Sequence, residues 1–146
     1  MRHASLVNRE VDPATVLSAV RDSRCGAVSM FVGTVRDVNE GRRVSGIDYS
    51  AYIEMAQAEM DQILAEAEER FGVRSIAVEH RLGSLAIGDV SIVIAAAHEH
   101  RSPALDATRF VIEQVKVRVP IWKLEQYDDG VSEWVDPARH TGVTGA

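Results

Sequence analysis

The sequence predicts an α+β fold with a mostly antiparallel sheet and three main helices, on three observations. Strand-like segments arrive in adjacent pairs, as hairpins do, with a helical segment between one pair and the next. Cap-and-proline signals mark helix starts, and turn residues separate the strands. Neither a GxGxxG nor a GxxxxGKS/T run occurs, so the phosphate loops of nucleotide-binding parallel sheets are not supported.

Asp12 before Pro13 is an N-cap followed by proline at the first helical position, so a short helix is expected over about 13–23, ended by Gly26. AVSMFVGTVRD reads as a strand over about 27–36, NEGRR as a turn, and residues 44–52 as the return strand of a hairpin with a basic tip. From Ile53 the period becomes helical: Ile53, Ala56, Met60, Ile63, Leu64, Ala67 and Phe71 make one stripe, which Gly72 closes. VRSIAVEHRL alternates as a strand, GSLAIGD is a turn-rich connection, and VSIVIAAAHEH is a buried strand. Ser102-Pro103 opens a third helix with a stripe of Leu105, Thr108, Ile112, Val115 and Val119, stopped by Pro120. In IWKLEQY, Ile121, Lys123, Glu125 and Tyr127 point one way and Trp122 and Leu124 the other. DDG then turns into SEWV. The whole is expected to be one domain, 1–146, with 136–146 a loose tail.

A net charge of −6 excludes a broad electrostatic footprint for nucleic acid, so any anionic ligand must be met by a local cluster of cations. Cys25 is the only cysteine, which excludes an internal disulfide and cysteine-based zinc sites and fits a reducing compartment; as a residue it reads best as a small core side chain. The N-terminal residues show no secretory signal, and the longest apolar run, VSIVIAAA, is too short for a bilayer. A soluble, cytoplasmic protein without a membrane partner is expected.

Among sixteen cations only Lys116 and Lys123 are lysines, seven residues apart in KVRVPIWK. Arginine stays protonated, whereas a desolvated lysine titrates near neutral pH and can serve as base or nucleophile. For Lys116 a helix C-terminus and an i,i+3 pair with Glu113 are a sufficient bland explanation. Lys123 follows a tryptophan on an apolar strand, where a solvated charge is less expected. The turn at Pro120 reverses the chain, so both can converge on one pocket. A second cluster is AHEHRSPA: His100 and Arg101 precede a helix N-terminus, an arrangement suited to an anion, while Ser102 as a simple cap explains it equally well. His98 and His100 also permit a metal, though no further ligand motif completes the set. Arg36, at the end of its strand, is a third cation expected to face a ligand. Together these residues suit a small phosphorylated substrate and acid–base or covalent chemistry.

FVGTVRD, the stretch from Tyr49 to Met55, EHRLGSLAIGD, AHEHRSPALDA, KVRVPIWKLE and a late EWV, in that order across roughly 24–136, resemble the large, catalytic subunit family of molybdopterin synthase. The resemblance implies an α/β-hammerhead-like fold and a sulfurtransferase of molybdenum cofactor biosynthesis. Sulfur would arrive as a thiocarboxylate on the C-terminal Gly-Gly of a small ubiquitin-like sulfur-carrier subunit and pass to cyclic pyranopterin monophosphate, giving the molybdopterin dithiolene. A homodimer within a heterotetramer is implied, with no metal or organic cofactor. Residue by residue, Thr34, Val35 and Arg36 match the substrate-contacting strand end, His100 and Arg101 the anion-binding pair, Lys116 and Lys123 the catalytic lysines, and Leu124 and Glu125 the substrate-lining strand. On chemical grounds, Lys116 is expected to stabilise the thiocarboxylate end and assist proton transfer, and Lys123 to bind or activate the pterin intermediate. Thr34 and Ser50 depart from the family's common lysine and acidic residue. Two other readings are a non-catalytic binding module for a ubiquitin-like tail and a small metal-dependent hydrolase using His98 and His100.

Overall fold

Strand β7 (Val90–His98) is apolar on both faces and nearly wholly buried, and the first sheet is built to cover both of them. The computed structural model describes residues 1–135. In it β7 lies between β5 (Ser75–Arg81) and β2 (Ala27–Thr34), antiparallel to each, with β1 (Arg2–Val7) on the far side of β5. Val93 and Ala95 pack with Ala77 against Val16 and Val20 of helix α1 (Pro13–Val20). Ile92, Ile94 and Ala96 join the larger core formed with α2 (Ile53–Phe71) and α3 (Arg101–Arg118).

A second sheet closes over the ends of these helices. Its central strand β4 (Arg42–Ala51) pairs with β8 (Ile121–Tyr127) and with β6 (Gly83–Ala86), all antiparallel. β9 (Ser132–Val135) flanks β8, and the two-residue β3 (Val38–Asn39) folds back on the start of β4. The α+β reading with three helices and mostly antiparallel pairing therefore stands, and β8 alternates as expected, with Ile121, Lys123, Glu125 and Tyr127 all buried.

Several details differ from the sequence expectation. RHASLV forms a strand that pairs with β5 in parallel, the one parallel pairing among the described residues. It lies at the sheet edge and is at most half-buried, so it lacks the apolar run that marks a strand. Residues 83–86, expected as connection, make β6. Asp12 caps α1 as expected, accepting from the Ala14 N–H at 3.0 Å, but the helix ends at Val20. Gly26 serves another purpose: a Cβ there would come within 2.9 Å of the Glu99 carbonyl oxygen, so it permits the close approach of the two backbone segments. The buried stripe of α3 runs through Ala104, Ala107, Thr108, Val111 and Val115, leaving Leu105 exposed. Small residues let the helix lie close to β2, where Ser29 and Thr108 share a buried hydrogen bond of 2.7 Å. Arg118 ties its end to Glu59 and Glu66 of α2 at 3.1 and 2.8 Å. The tail expected over 136–146 lies outside the described residues. No helix among them is long and apolar enough to cross a membrane.

The core also holds an imidazole. His80 on β5 is buried, its ring edge-on to Tyr49 at 5.0 Å, and its Nδ1 is 2.8 Å from the Arg81 carbonyl oxygen, which makes Nδ1 the protonated nitrogen. Burial pushes its pKa from 6.5 down to about 4, partly opposed by that hydrogen bond, with Lys116 and Lys123 pushing the same way as burial. The unfolded chain therefore binds a proton at His80 that the folded chain refuses, and stability falls as pH drops from 6.5 towards 4. Across that window the loss is roughly 3 kcal/mol. Denaturant titrations at pH 7 and pH 4.5 should show wild type losing that much more stability than His80→Phe; equal losses would contradict it.

Candidate active site

Pro120 ends α3 and passes its chain directly into a sheet. The Pro120 carbonyl accepts the Tyr52 N–H at 3.1 Å, and β8 pairs with β4 from Ile121 onward. This reversal sets Lys116, on the last turn of α3, and Lys123, on β8, about a common space. Lys116 lines a narrow cavity of about 20 Å³ with Tyr49, His80 and Val115. Lys123, 2% exposed, sits opposite Tyr49 in the β4–β8 register.

Burial pushes the Lys116 ammonium down to about 7, and the nearby charges of Lys123 and Arg36 push it further in the same direction. Lys123 is also lowered, first by burial; the Glu125 carboxylate opposes this and Arg36 adds to it. Arg36, Lys116 and Lys123 thus share one electrostatic neighbourhood. Lys116 is only part-exposed and lines the cavity, so its place on the helix does not by itself describe its surroundings. Its desolvation comes from both sheets, Tyr49 and Ile121 on one and His80 and Ile92 on the other, which the helical stripe does not reveal.

The strand end carrying Arg36 is fixed by backbone pairing. Val35 is buried, its N–H donates to the Asp89 carbonyl at 2.9 Å, and its own carbonyl accepts the Gly88 N–H at 2.8 Å. Thr34 and Arg36 on either side are exposed. Val35 therefore anchors, and its neighbours face out. On β8, Glu125 shares the inner face with Lys123, its Oε1 at 4.0 Å from the Lys123 Nζ. Leu124 projects to the outer face, half-buried and paired in register with the exposed Trp134, beside exposed Trp122.

His100 and Arg101 are not brought to this pocket within one chain. They stand at the N-terminus of α3, fifteen residues before Lys116, a separation of about 22 Å along a helix. His100 is the N-cap residue, and its N–H donates to the His98 Nδ1 at 2.8 Å. Ser102, expected as the cap, lies within the helix. Among the described residues, no group of three or more His, Cys, Asp or Glu side chains is placed to hold a metal. Sequence reasoning missed Tyr49 and His80 in the cavity wall, both inside buried alternating strands that look like ordinary core. It also missed Asn39 and Tyr127 beside Glu125.

Comparison with known proteins bears on this geometry. The chain is 47% identical over 139 residues to a molybdopterin synthase catalytic subunit of Oryza sativa, covering 92% of this chain and 72% of that protein. It is 44% identical over 136 residues to the protein of the same name in Drosophila erecta, again over 92% of this chain but spanning only 37% of that longer relative. The solved structure of molybdopterin synthase from Staphylococcus aureus superposes with a TM-score of 0.84 at 34% identity, covering 89% of this chain and 94% of that one. A family model described as MoaE protein matches residues 6–118, a span that holds both sheets' central strands, Arg36, His100, Arg101 and Lys116, and on this match the chain belongs to the MoaE protein family.

Proposed function

We propose that this chain is the catalytic subunit of a molybdopterin synthase: it moves sulfur from the thiocarboxylated Gly-Gly end of a small ubiquitin-like carrier subunit to cyclic pyranopterin monophosphate. The observation that carries this is the pair of desolvated lysines beside Arg36, in a chain of this family. In the chemistry, the thiocarboxylate sulfur attacks a side-chain carbon of the pterin and displaces an oxygen, which leaves protonated. Water then cleaves the acyl–sulfur bond, returning a carboxylate to the carrier and leaving the sulfur on the pterin. Each half needs a proton moved near neutral pH. Lys116, held near 7, has both protonation states at hand, and as the neutral amine it accepts the proton from the attacking water. Lys123 and Arg36 hold the anionic pterin, with Thr34 beside Arg36 and Val35 fixing the strand end. Glu125 acts from behind Lys123. Leu124, with Trp122 and Trp134, offers an apolar outer strip suited to the carrier protein and not to a polar pterin. No metal or organic cofactor is needed for these steps.

The length of α3 shapes the assembly. One chain keeps His100 and Arg101 about 22 Å from its own lysines, so we assign them to the pocket of a second copy, where they meet the substrate's phosphate. The homodimer is then part of the active site.

Three outcomes check this. With a thiocarboxylated carrier and pyranopterin monophosphate supplied, dithiolene product should form; none forming would overturn the reading. Lys116→Arg keeps the charge and removes the accessible neutral form, so turnover should fall about 100-fold and lose the rise through pH 7 seen in wild type. Full turnover in both Lys116→Arg and Lys123→Arg would end the lysine mechanism. Finally, Lys116→Ala and Arg101→Ala dimers, each inactive, should regain about a quarter of wild-type activity when their subunits are mixed, since half the dimers are mixed and each holds one intact pocket. No recovery on mixing would return Arg101 to a separate role.

A further inference from the structure

Glu125 is 2% exposed, and its two oxygens are used differently. Oε2 accepts from the Asn39 side-chain amide at 2.7 Å and from the Tyr127 hydroxyl at 2.5 Å, while Oε1 faces Lys123. One oxygen is committed to the fold and the other to the lysine. Asn39 is itself buried, at 6% exposure, although it belongs to a hairpin tip of turn-like composition. Its Oδ1 has no hydrogen-bond partner, and turning the amide over would set that oxygen against the carboxylate. Burying an amide with one end idle costs stability, so the gain lies at its donor end. Glu40 and Gly41 adopt φ of 51° and 80°, a turn tight enough to fold β3 directly back on β4. Arg42, paired with Asn39 in that hairpin, lays its guanidinium over the Tyr127 ring at 3.6 Å and pairs with Asp129 and Glu133.

We propose that Asn39 and Tyr127 are positioning residues for Lys123, acting through Glu125, which they hold as a fixed counter-charge behind the ammonium. The inference rests on the reading of Lys123 as an active-site residue. The basic hairpin, on this account, is a clamp on the site's inner wall. The charged and titratable groups that face Lys123 are Glu125 on its own strand, Tyr49 across the β4–β8 register, His80 on β5, Lys116 on α3 and Arg36 after β2, while Tyr127, Arg42 and Glu133 stand behind Glu125. Of these, Glu125 raises the Lys123 pKa, while Arg36 joins burial in lowering it. Without its two donors, a carboxylate at that depth turns away, and Lys123 loses its counter-charge.

Because the chain has only two lysines, the test is direct. Full-length protein labelled with 13C at the lysine ε-carbon gives two lysine signals, assigned with Lys116→Arg, and each is titrated by NMR. In Asn39→Leu, Tyr127→Phe and Glu125→Gln the Lys123 midpoint should fall by about half a pH unit or more, most in Glu125→Gln. Tyr127→Phe removes a single oxygen and keeps the test readable if Asn39→Leu does not fold. A Lys123 midpoint unchanged from wild type in folded Tyr127→Phe and Glu125→Gln would overturn the proposal. The titration reads positioning whether or not Lys123 reacts, whereas loss of the catalytic reading would appear as full turnover in Lys123→Arg.

Discussion

Two ammonium groups, with an exposed guanidinium beside them, share a wall from which most water is excluded, and the packing of the second sheet against the first is what makes this possible. Like charges at short range in a poorly solvated space repel strongly, and the fold meets this in two ways. Lys116 gives up much of its hold on the proton, and Lys123 receives a carboxylate. Neither lysine needs an unusual backbone. One is an ordinary last-turn helical residue and the other an ordinary inward strand residue, brought together because Pro120 ends the helix where β8 must begin.

His80 belongs to the same constraint. An imidazole in that wall would add a further positive charge if it titrated normally, and burial together with the neighbouring ammonium groups keeps it neutral. Its hydrogen bond to the Arg81 carbonyl fixes the tautomer, and the edge of its ring against Tyr49 fills the space beside Lys116. The core and the site are therefore continuous. Part of what looks like packing is electrostatic insulation.

How far the sequence revealed this depended on whether a signal was local. The alternation of β8 gave Lys123 and Glu125 their inward direction, because a strand's period is carried by its own residues. Lys116 was not legible in the same way, since it lies off the α3 stripe and is covered by a sheet formed from distant residues. Asn39 was hidden for the opposite reason: NEGRR has the composition of an exposed turn, and only the pairing of β3 onto β4 carries the amide inward. The sequence puts His100 and Arg101 at the start of the third helix and Lys116 near its end, so the expected bounds already imply the distance between them, and the structure bears those bounds out. Those residues and the lysines are related by a helix length, which a motif does not state.

That helix has a mechanical meaning. An 18-residue rod of about 27 Å, held along one side by β2 and β7 and clamped at one end by Arg118, resists bending but not tilting as a unit. If its two ends serve different pockets, a tilt of about 5° that settles one end over a ligand moves the other by about 2 Å. Two such rods in a symmetric pair would link the two pockets mechanically through the fold itself.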